Sequence, residues 1–134
     1  MKLIHCADLH LDSDMTSNLT KEKAKERRTE LLVTFQRMIT YAKENDVHHI
    51  LISGDLYDKK NISSTARNVF LTAVTDNQDI IFYYLKGNHD AESLFIGMNK
   101  IPDNLKLFGT AWTEYKITSE KDNNNIVISG IELT

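Results

Sequence analysis

Short apolar runs alternate with helical patterns along the first 85 residues of this chain. Residues 2–7 (KLIHCA), 47–53 (VHHILIS) and 80–85 (IIFYYL) have the apolar, β-branched character of buried strands. Apolar residues at helical spacing separate them, from residue 20 or 21 to about residue 45 and from residue 63 or 64 to about residue 75. A strand–helix–strand–helix–strand order requires parallel pairing with right-handed crossovers, so the sequence predicts an α/β fold.

The C-terminal part has a different character. Residues 105–108, 115–118 and 126–133 predict short strands, and the polar run 122–125 (DNNN) predicts a turn between the last two. The chain is therefore expected to end in a β-hairpin that follows the α/β part.

Composition excludes several classes of protein. With 41% hydrophobic and 26% charged residues in 134, the chain should form one globular domain. A net charge of −3 argues against a nucleic-acid binder that works through bulk positive charge, although it allows a local basic patch. Cys6 stands alone, as a small hydrophobe in the first strand, and no apolar run has the length of a signal or membrane segment. We therefore expect a cytoplasmic protein without a membrane anchor.

Each of the three predicted strands ends in side chains that can bind a metal ion. The first runs into A-D-L-H (residues 7–10), the second into G-D-L-Y-D (54–58) and the third into G-N-H-D (87–90). In open α/β sheets, ligands bind beyond the carboxyl ends of the strands. The three groups of side chains are therefore predicted to form one site at that edge of the sheet.

Carboxylate and imidazole donors together suit divalent manganese, iron or zinc. In an extended segment, Asp8 and His10 would point to the same side, because strand side chains alternate with a period of two. Gly54 and Gly87 allow the sharp turns that bring backbone close to an ion. Any one of these motifs occurs by chance in loops. Their occurrence in order, at successive strand ends, is what predicts a metal site.

The order D-x-H, G-D-x-x-D, G-N-H-D is similar to the signature of the calcineurin-like metallophosphoesterase superfamily. The segments A-D-L-H-L-D-S and G-D-L-Y-D most resemble its DNA repair exonuclease branch, the SbcD-like nuclease subunits of SbcCD-type complexes. Protein phosphatases of the superfamily usually show Arg after the second motif and Glu after G-N-H, whereas Lys59 and Asp90 stand there in this chain. The resemblance covers residues 1–90 closely and the remainder loosely.

The resemblance implies a layered α/β/β/α sandwich. This chain would form its N-terminal half, with a mixed, mostly parallel sheet, helices on one face and a terminal β-hairpin. Residues 1–134 would be a single domain that is incomplete at its C-terminus, because the superfamily completes its site with a later histidine and then a G-H-x-H motif. No histidine follows His89. One protein ligand of the first metal and two of the second would be missing, so we expect little catalysis from these residues alone.

The resemblance also implies roles for individual residues. Asp8 and His10 would bind the first metal ion, Asp55 would bridge both ions, and Asn88 would bind the second through its amide oxygen. His89 would be catalytic, facing the scissile phosphate to stabilise its charge or to protonate the leaving oxygen. Two further acids, Asp58 and Asp90, are predicted to orient these ligands or their loops rather than to bind metal.

The implied cofactors are two divalent ions, with manganese expected first and iron, zinc or magnesium as alternatives. The leading functional interpretation is a DNA exonuclease of repair or recombination, partnered with an SMC-like ATPase and able to form a homodimer. A phosphodiesterase acting on cyclic nucleotides or dinucleotides is the second interpretation. The third is a degenerate domain that keeps the fold and acts only as a binding module.

Other residues that could carry chemistry are predicted to be structural. His48 and His49 are adjacent in a strand, so they point to opposite faces and cannot share one site. His5 is expected to be a hydrogen-bonded core residue. Trp112 and Tyr115 could stack on a base, but the better prediction is that they anchor the terminal strands.

A run of charged residues begins the first predicted helix. Residues 21–28 (KEKAKERR) contain five basic side chains, which could contact a nucleic-acid backbone. The interleaved Glu22 and Glu26 favour the alternative, a solvated helix face with pairs of opposite charge one turn apart.

Overall fold

A computed structural model describes residues 1–7, 9, 11, 20–54, 56, 64–86, 100–119 and 124–132 of the chain. In chain order these contain β1 (Ile4–Cys6), α1 (Lys21–Glu44), β2 (His49–Ser53), α2 (Ser64–Thr75), β3 (Ile81–Leu85), β4 (Leu105–Leu107), β5 (Thr113–Ser119) and β6 (Asn124–Gly130). The predicted α/β fold is confirmed, because the helices alternate with the first three strands. None of the helices described has the length and apolar character needed to cross a bilayer.

The first four strands form one sheet in the order β1-β2-β3-β4, and all three pairings are parallel. Cys6 pairs with Ile52, Ile52 with Tyr84, and Tyr84 with Leu107, so these four residues lie level across the sheet. The ends of β1, β2 and β3 therefore share one edge, which we call the carboxyl edge. The sequence predicted parallel strands, and the structure confirms that β1, β2 and β3 end at one edge.

Both ends of α1 are capped. The Thr20 hydroxyl accepts a hydrogen bond from the Lys23 N–H at 3.2 Å, as expected for an N-cap. At the other end Asp46 adopts a φ of 54°, and the Val47 N–H donates to the Ala42 carbonyl at 2.9 Å, which closes a Schellman motif. Val47 thus bonds to the helix, and β2 begins at His49 rather than at residue 47 as predicted.

Helices α1 and α2 cover one face of the sheet. Phe35 of α1 and Phe70 of α2 lie with ring centroids 6.0 Å apart, and both pack against Ile50, Ile52 and Phe82 of the sheet. All five side chains are buried, and burial of a side chain of this size contributes about 2 kcal/mol. The helix predicted from residue 20 or 21 to about residue 45 is confirmed as α1.

The antiparallel hairpin β5–β6 packs on the other face, against β2 and β3. The Tyr115 ring meets those of Tyr83 and Phe108 edge-on at 5.8 and 5.3 Å, and its hydroxyl donates to the Leu107 carbonyl. The predicted anchoring role of Tyr115 is confirmed. That of Trp112 is wrong: its side chain is 62% exposed, and its indole N–H donates to Glu114.

The predicted turn at residues 122–125 is partly wrong. Asn124 and Asn125 belong to β6, where they pair with Ser119 and Thr118 of β5. The backbone ladder of the hairpin extends further than the turn preference of asparagine suggests, because antiparallel pairing satisfies those backbone groups.

Candidate metal centre

The seven residues assigned to the site from the sequence lie outside the described residues; they are Asp8, His10, Asp55, Asp58, Asn88, His89 and Asp90. Their neighbours in the chain are described at the carboxyl edge. Ala7 and Leu9 flank Asp8 in the chain, and Gly54 and Leu56 flank Asp55. Lys86 ends the described segment that leads from β3 toward Asn88. The assignment of the seven residues stays a prediction, and these neighbours define its frame.

The segments that follow β1 and β2 stay together beyond the sheet. The Leu11 N–H donates to the Leu56 carbonyl at 2.8 Å, although both residues lie past the last ladder pair of their strands. Both side chains are buried, with 2% and 0% of their surface exposed, and both belong to the main core. Leu9 packs against the same core. Three apolar anchors thus hold the backbone next to the first two motifs.

Gly54 has a φ of 82°, in the left-handed region that disfavours a Cβ, and it is buried. The sharp turn predicted for the end of β2 is therefore present at this glycine. Ser53, the residue before Gly54, contacts β1. His5 Nε2 and Ser53 Oγ lie 2.8 Å apart and join β1 to β2. His5 is hydrogen-bonded as predicted, but it is exposed rather than in the core.

We expect Gly54→Ala to lower the free energy of unfolding by about 1–2 kcal/mol, because an L-residue in the left-handed region is strained by that amount. Gly109→Ala is the matched control, since a Cβ there would have nothing within 4 Å. Urea unfolding of both variants measures the difference. Equal stability of the two variants would contradict a strained turn at the end of β2.

The remaining histidines do not form a second site. His48 is exposed, and its Nδ1 donates to the Asp79 carbonyl at 3.1 Å. His49 is half-buried, with Nδ1 3.2 Å from the Tyr83 hydroxyl. Burial, and secondarily the proximity of His48, lower the pKa of His49, so its neutral form is favoured. Within the described ranges, no three His, Cys, Asp or Glu side chains come close enough to hold a metal ion.

Cys6 lies near the first motif but is poorly suited to bind metal. Its thiol donates to the Leu51 carbonyl at 3.6 Å and packs against the main core. Burial raises the pKa of this thiol to about 11. The protonated thiol is therefore the favoured form of Cys6 at neutral pH. The motif residues themselves offer only oxygen and imidazole donors for a metal at this edge.

Residues 1–132 match the family described as Calcineurin-like phosphoesterase. The chain belongs to this family. Calcineurin-like phosphoesterases use divalent metal ions, and membership implies a hydrolase that acts on phosphoesters. The mixed α/β architecture with a parallel sheet is consistent with the fold of the family.

The chain is also similar to a bacterial relative. It is 31% identical over 121 residues to a protein of Bacillus subtilis (strain 168) named "Uncharacterized metallophosphoesterase YhaO". The match covers 87% of this chain but 29% of the relative, so the chain spans less than a third of that protein's length.

Proposed function

We propose that this calcineurin-like phosphoesterase carries most of a two-metal phosphodiesterase centre at its carboxyl edge. Asp8 and His10 would hold the first ion, Asp55 would be shared by both ions, and Asn88 would hold the second. The hydrogen bond from Leu11 to Leu56 is the observation that carries this assignment, because it joins the two segments that contain Asp8, His10 and Asp55. β3, which leads to Asn88, is paired to β2 up to Ser53 and Leu85.

The donor set fits hard or borderline divalent ions, with manganese first and iron, zinc or magnesium as alternatives. Bound ions would supply Lewis acidity toward the phosphoryl oxygens and offset the charge that develops there. His89 would act beside the scissile phosphate in this proposal, either stabilising that charge or protonating the leaving oxygen. Asp58 and Asp90 would orient the ligands and their loops.

The substrate in this proposal is DNA, and the activity is that of an exonuclease of repair or recombination. The wording of the first two motifs supports it, as does the presence of Lys59 and Asp90 where protein phosphatases carry Arg and Glu. The same SbcD-like resemblance supports an SMC-like ATPase as partner, a cytoplasmic location and a homodimeric assembly.

A comparison of substrates tests this proposal. The chain, at high concentration with Mn²⁺, is incubated with single- and double-stranded DNA and, separately, with cyclic nucleotides and dinucleotides. We expect metal-dependent release of nucleotides from DNA to exceed hydrolysis of the small substrates, with an Asp55→Asn variant as the background control. Hydrolysis of only the small substrates would replace the DNA proposal. Absence of both hydrolysis and thermal stabilisation by Mn²⁺ would favour the non-catalytic binding module.

A further inference from the structure

Helix α1 is much longer than the sheet that it covers. It has 24 residues and a length of about 36 Å, whereas the five residues of β2 span about 16 Å. Its C-terminal end lies at the opposite edge of the sheet from the carboxyl edge, because four residues connect it to β2 and Lys2 Nζ donates to the Asn45 carbonyl at 3.4 Å. The excess length therefore extends past the carboxyl edge.

The contacts of α1 agree with its length. Leu32, Phe35, Met38, Ile39 and Ala42 pack into the main core, and these positions span about 15 Å of helix, close to the length of β2. Before Leu32, no residue of α1 belongs to either apolar cluster of the described residues, although Ala24 is buried. We call residues 21–31 the overhang. It emerges from the segment that follows β1, which also contains Asp8 and His10.

One stripe of side chains runs along the whole helix at alternating spacings of four and three residues. Its members are Lys21, Lys25, Arg28, Leu32, Phe35, Ile39 and Ala42. Positions at this spacing share one side of a helix. The last four members face the sheet and are apolar. The first three, in the overhang, are basic. Where the sheet ends, this side of α1 therefore carries basic side chains beside Ala24, which is buried with 3% of its surface exposed.

The charges on the overhang are sorted by side. Glu22, Glu26 and Glu30 follow one another at intervals of four residues, away from the basic stripe. The ion pair between Arg27 and Glu30, at 3.2 Å, is also outside the stripe. Lys21 and Lys25 are exposed, and within the described part of the chain neither pairs with a carboxylate. The solvated face with paired charges thus accounts for Arg27 and Glu30, but not for Lys21 and Lys25.

We propose that Lys21 and Lys25 bind the phosphate backbone of duplex DNA beside the metal centre. Residues 21–28 carry five basic and two acidic side chains, a local charge of +3 in a chain of −3, so a polyanion is attracted to this surface and repelled by the remainder. The proposal rests on the proposed function, because the overhang matters for catalysis only if the neighbouring centre cleaves DNA. Contacts of this kind position the duplex without reading its sequence.

The chain provides a matched control for a charge reversal. Lys43 lies 18 residues after Lys25, which is five helical turns, so both occupy the same side of α1 about 27 Å apart. Both are exposed, and Lys43 is in the last turn, at the edge away from the proposed centre. Lys25→Glu and Lys43→Glu change the net charge equally. Only the first changes the overhang.

The test is binding of a fluorescent DNA duplex to the chain in EDTA, at several salt concentrations. We expect Lys21→Glu and Lys25→Glu each to weaken binding roughly fivefold or more and to reduce the salt slope by about one, and Lys43→Glu to weaken it less than twofold. Equal losses for Lys25→Glu and Lys43→Glu would overturn the proposal, and so would failure of the parent chain to bind duplex. Thermal unfolding of each variant verifies that it is folded.

EDTA separates this inference from the proposed function, because metal-dependent hydrolysis plays no part in the binding measurement. Suppose that the Lys21 and Lys25 variants bind duplex as well as the parent chain, and that the chain cleaves DNA with Mn²⁺. The overhang would then be rejected as the DNA-binding surface, and the proposed nuclease function would stand. If duplex binding depends on the overhang but the chain hydrolyses only small nucleotides, the nuclease function would be rejected. The overhang would then stand as a DNA-binding surface.

Discussion

Asp55→Asn should abolish the stabilisation of this chain by Mn²⁺. A bridging carboxylate offsets the repulsion between two cations, and an uncharged amide at the same position does not. A ligand present at 100 times its Kd stabilises the native state by about 2.7 kcal/mol, so loss of binding removes a shift of several degrees in Tm. Thermal unfolding with and without Mn²⁺ measures it.

Asp76→Asn is the control for this variant. Asp76 is exposed directly after α2, at the end of the sheet away from the carboxyl edge, and its substitution removes the same single charge. We expect Asp76→Asn to respond to Mn²⁺ as the parent chain does. If Asp55→Asn kept the full Mn²⁺ shift, Asp55 would not be a ligand.

Asn104→Asp should produce the largest loss of stability. Asn104 is 5% exposed, and its side-chain amide donates to the carbonyls of Val74, Asn77 and Ile80 at 2.7, 3.1 and 3.0 Å. These carbonyls lie at the end of α2 and just before β3, so one side chain joins three segments. A carboxylate cannot donate and would place a buried charge against three acceptors, which costs about 3–5 kcal/mol.

The pH dependence of Asn104→Asp follows from the same contacts. A buried carboxyl without a cation has a folded-state pKa above its unfolded value, because burial favours the neutral form. The protonated carboxyl can donate one hydrogen bond. The variant should therefore be most stable below the unfolded-state pKa near 4, and it should lose stability as the pH rises.

Urea unfolding measures this effect at pH 4 and pH 7. The free energy of unfolding of Asn104→Asp should fall further below that of the parent chain at pH 7 than at pH 4. The control is Asn68→Asp on the exposed side of α2, for which we expect a change of about 0.5 kcal/mol or less. A deficit of Asn104→Asp that is the same at both pH values would show that geometry, rather than charge, dominates at this position.

Local sequence patterns determined the elements of this fold well. The first helix was expected to begin at residue 20 or 21, and α1 begins at Lys21 after its N-cap Thr20. The apolar run before Gly54 forms β2. Both signals are contained within a few neighbouring residues. The parallel order of the strands also followed from the sequence, because alternating strands and helices leave few other connections.

Contacts between distant segments could not be predicted in this way. Asn104 sits in a loop with no periodicity, and its three acceptors are 24 to 30 positions earlier in the chain. Trp112 was expected to anchor the terminal strands, yet its side chain is exposed. The contact between His5 and Ser53 needs the register of β1 against β2, which pairs His5 with Leu51.

The overhang of α1 was accessible from the sequence but was not recognised. A helix of about 25 residues between strands of six or seven must extend past the sheet, and the basic stripe continues the apolar one at the same spacing. The interleaved acidic residues suggested pairs of opposite charge one turn apart, and the structure shows one such pair between Arg27 and Glu30 at 3.2 Å.

Anomalous diffraction from crystals of this chain grown in millimolar Mn²⁺ tests the central claim most directly. The account predicts two manganese peaks about 4 Å apart beyond the ends of β1, β2 and β3, with Asp55 in contact with both and with Asp8 and Asn88 in contact with one each. Manganese peaks elsewhere, or Asp8, Asp55 and Asn88 directed into separate regions of the molecule, would contradict it.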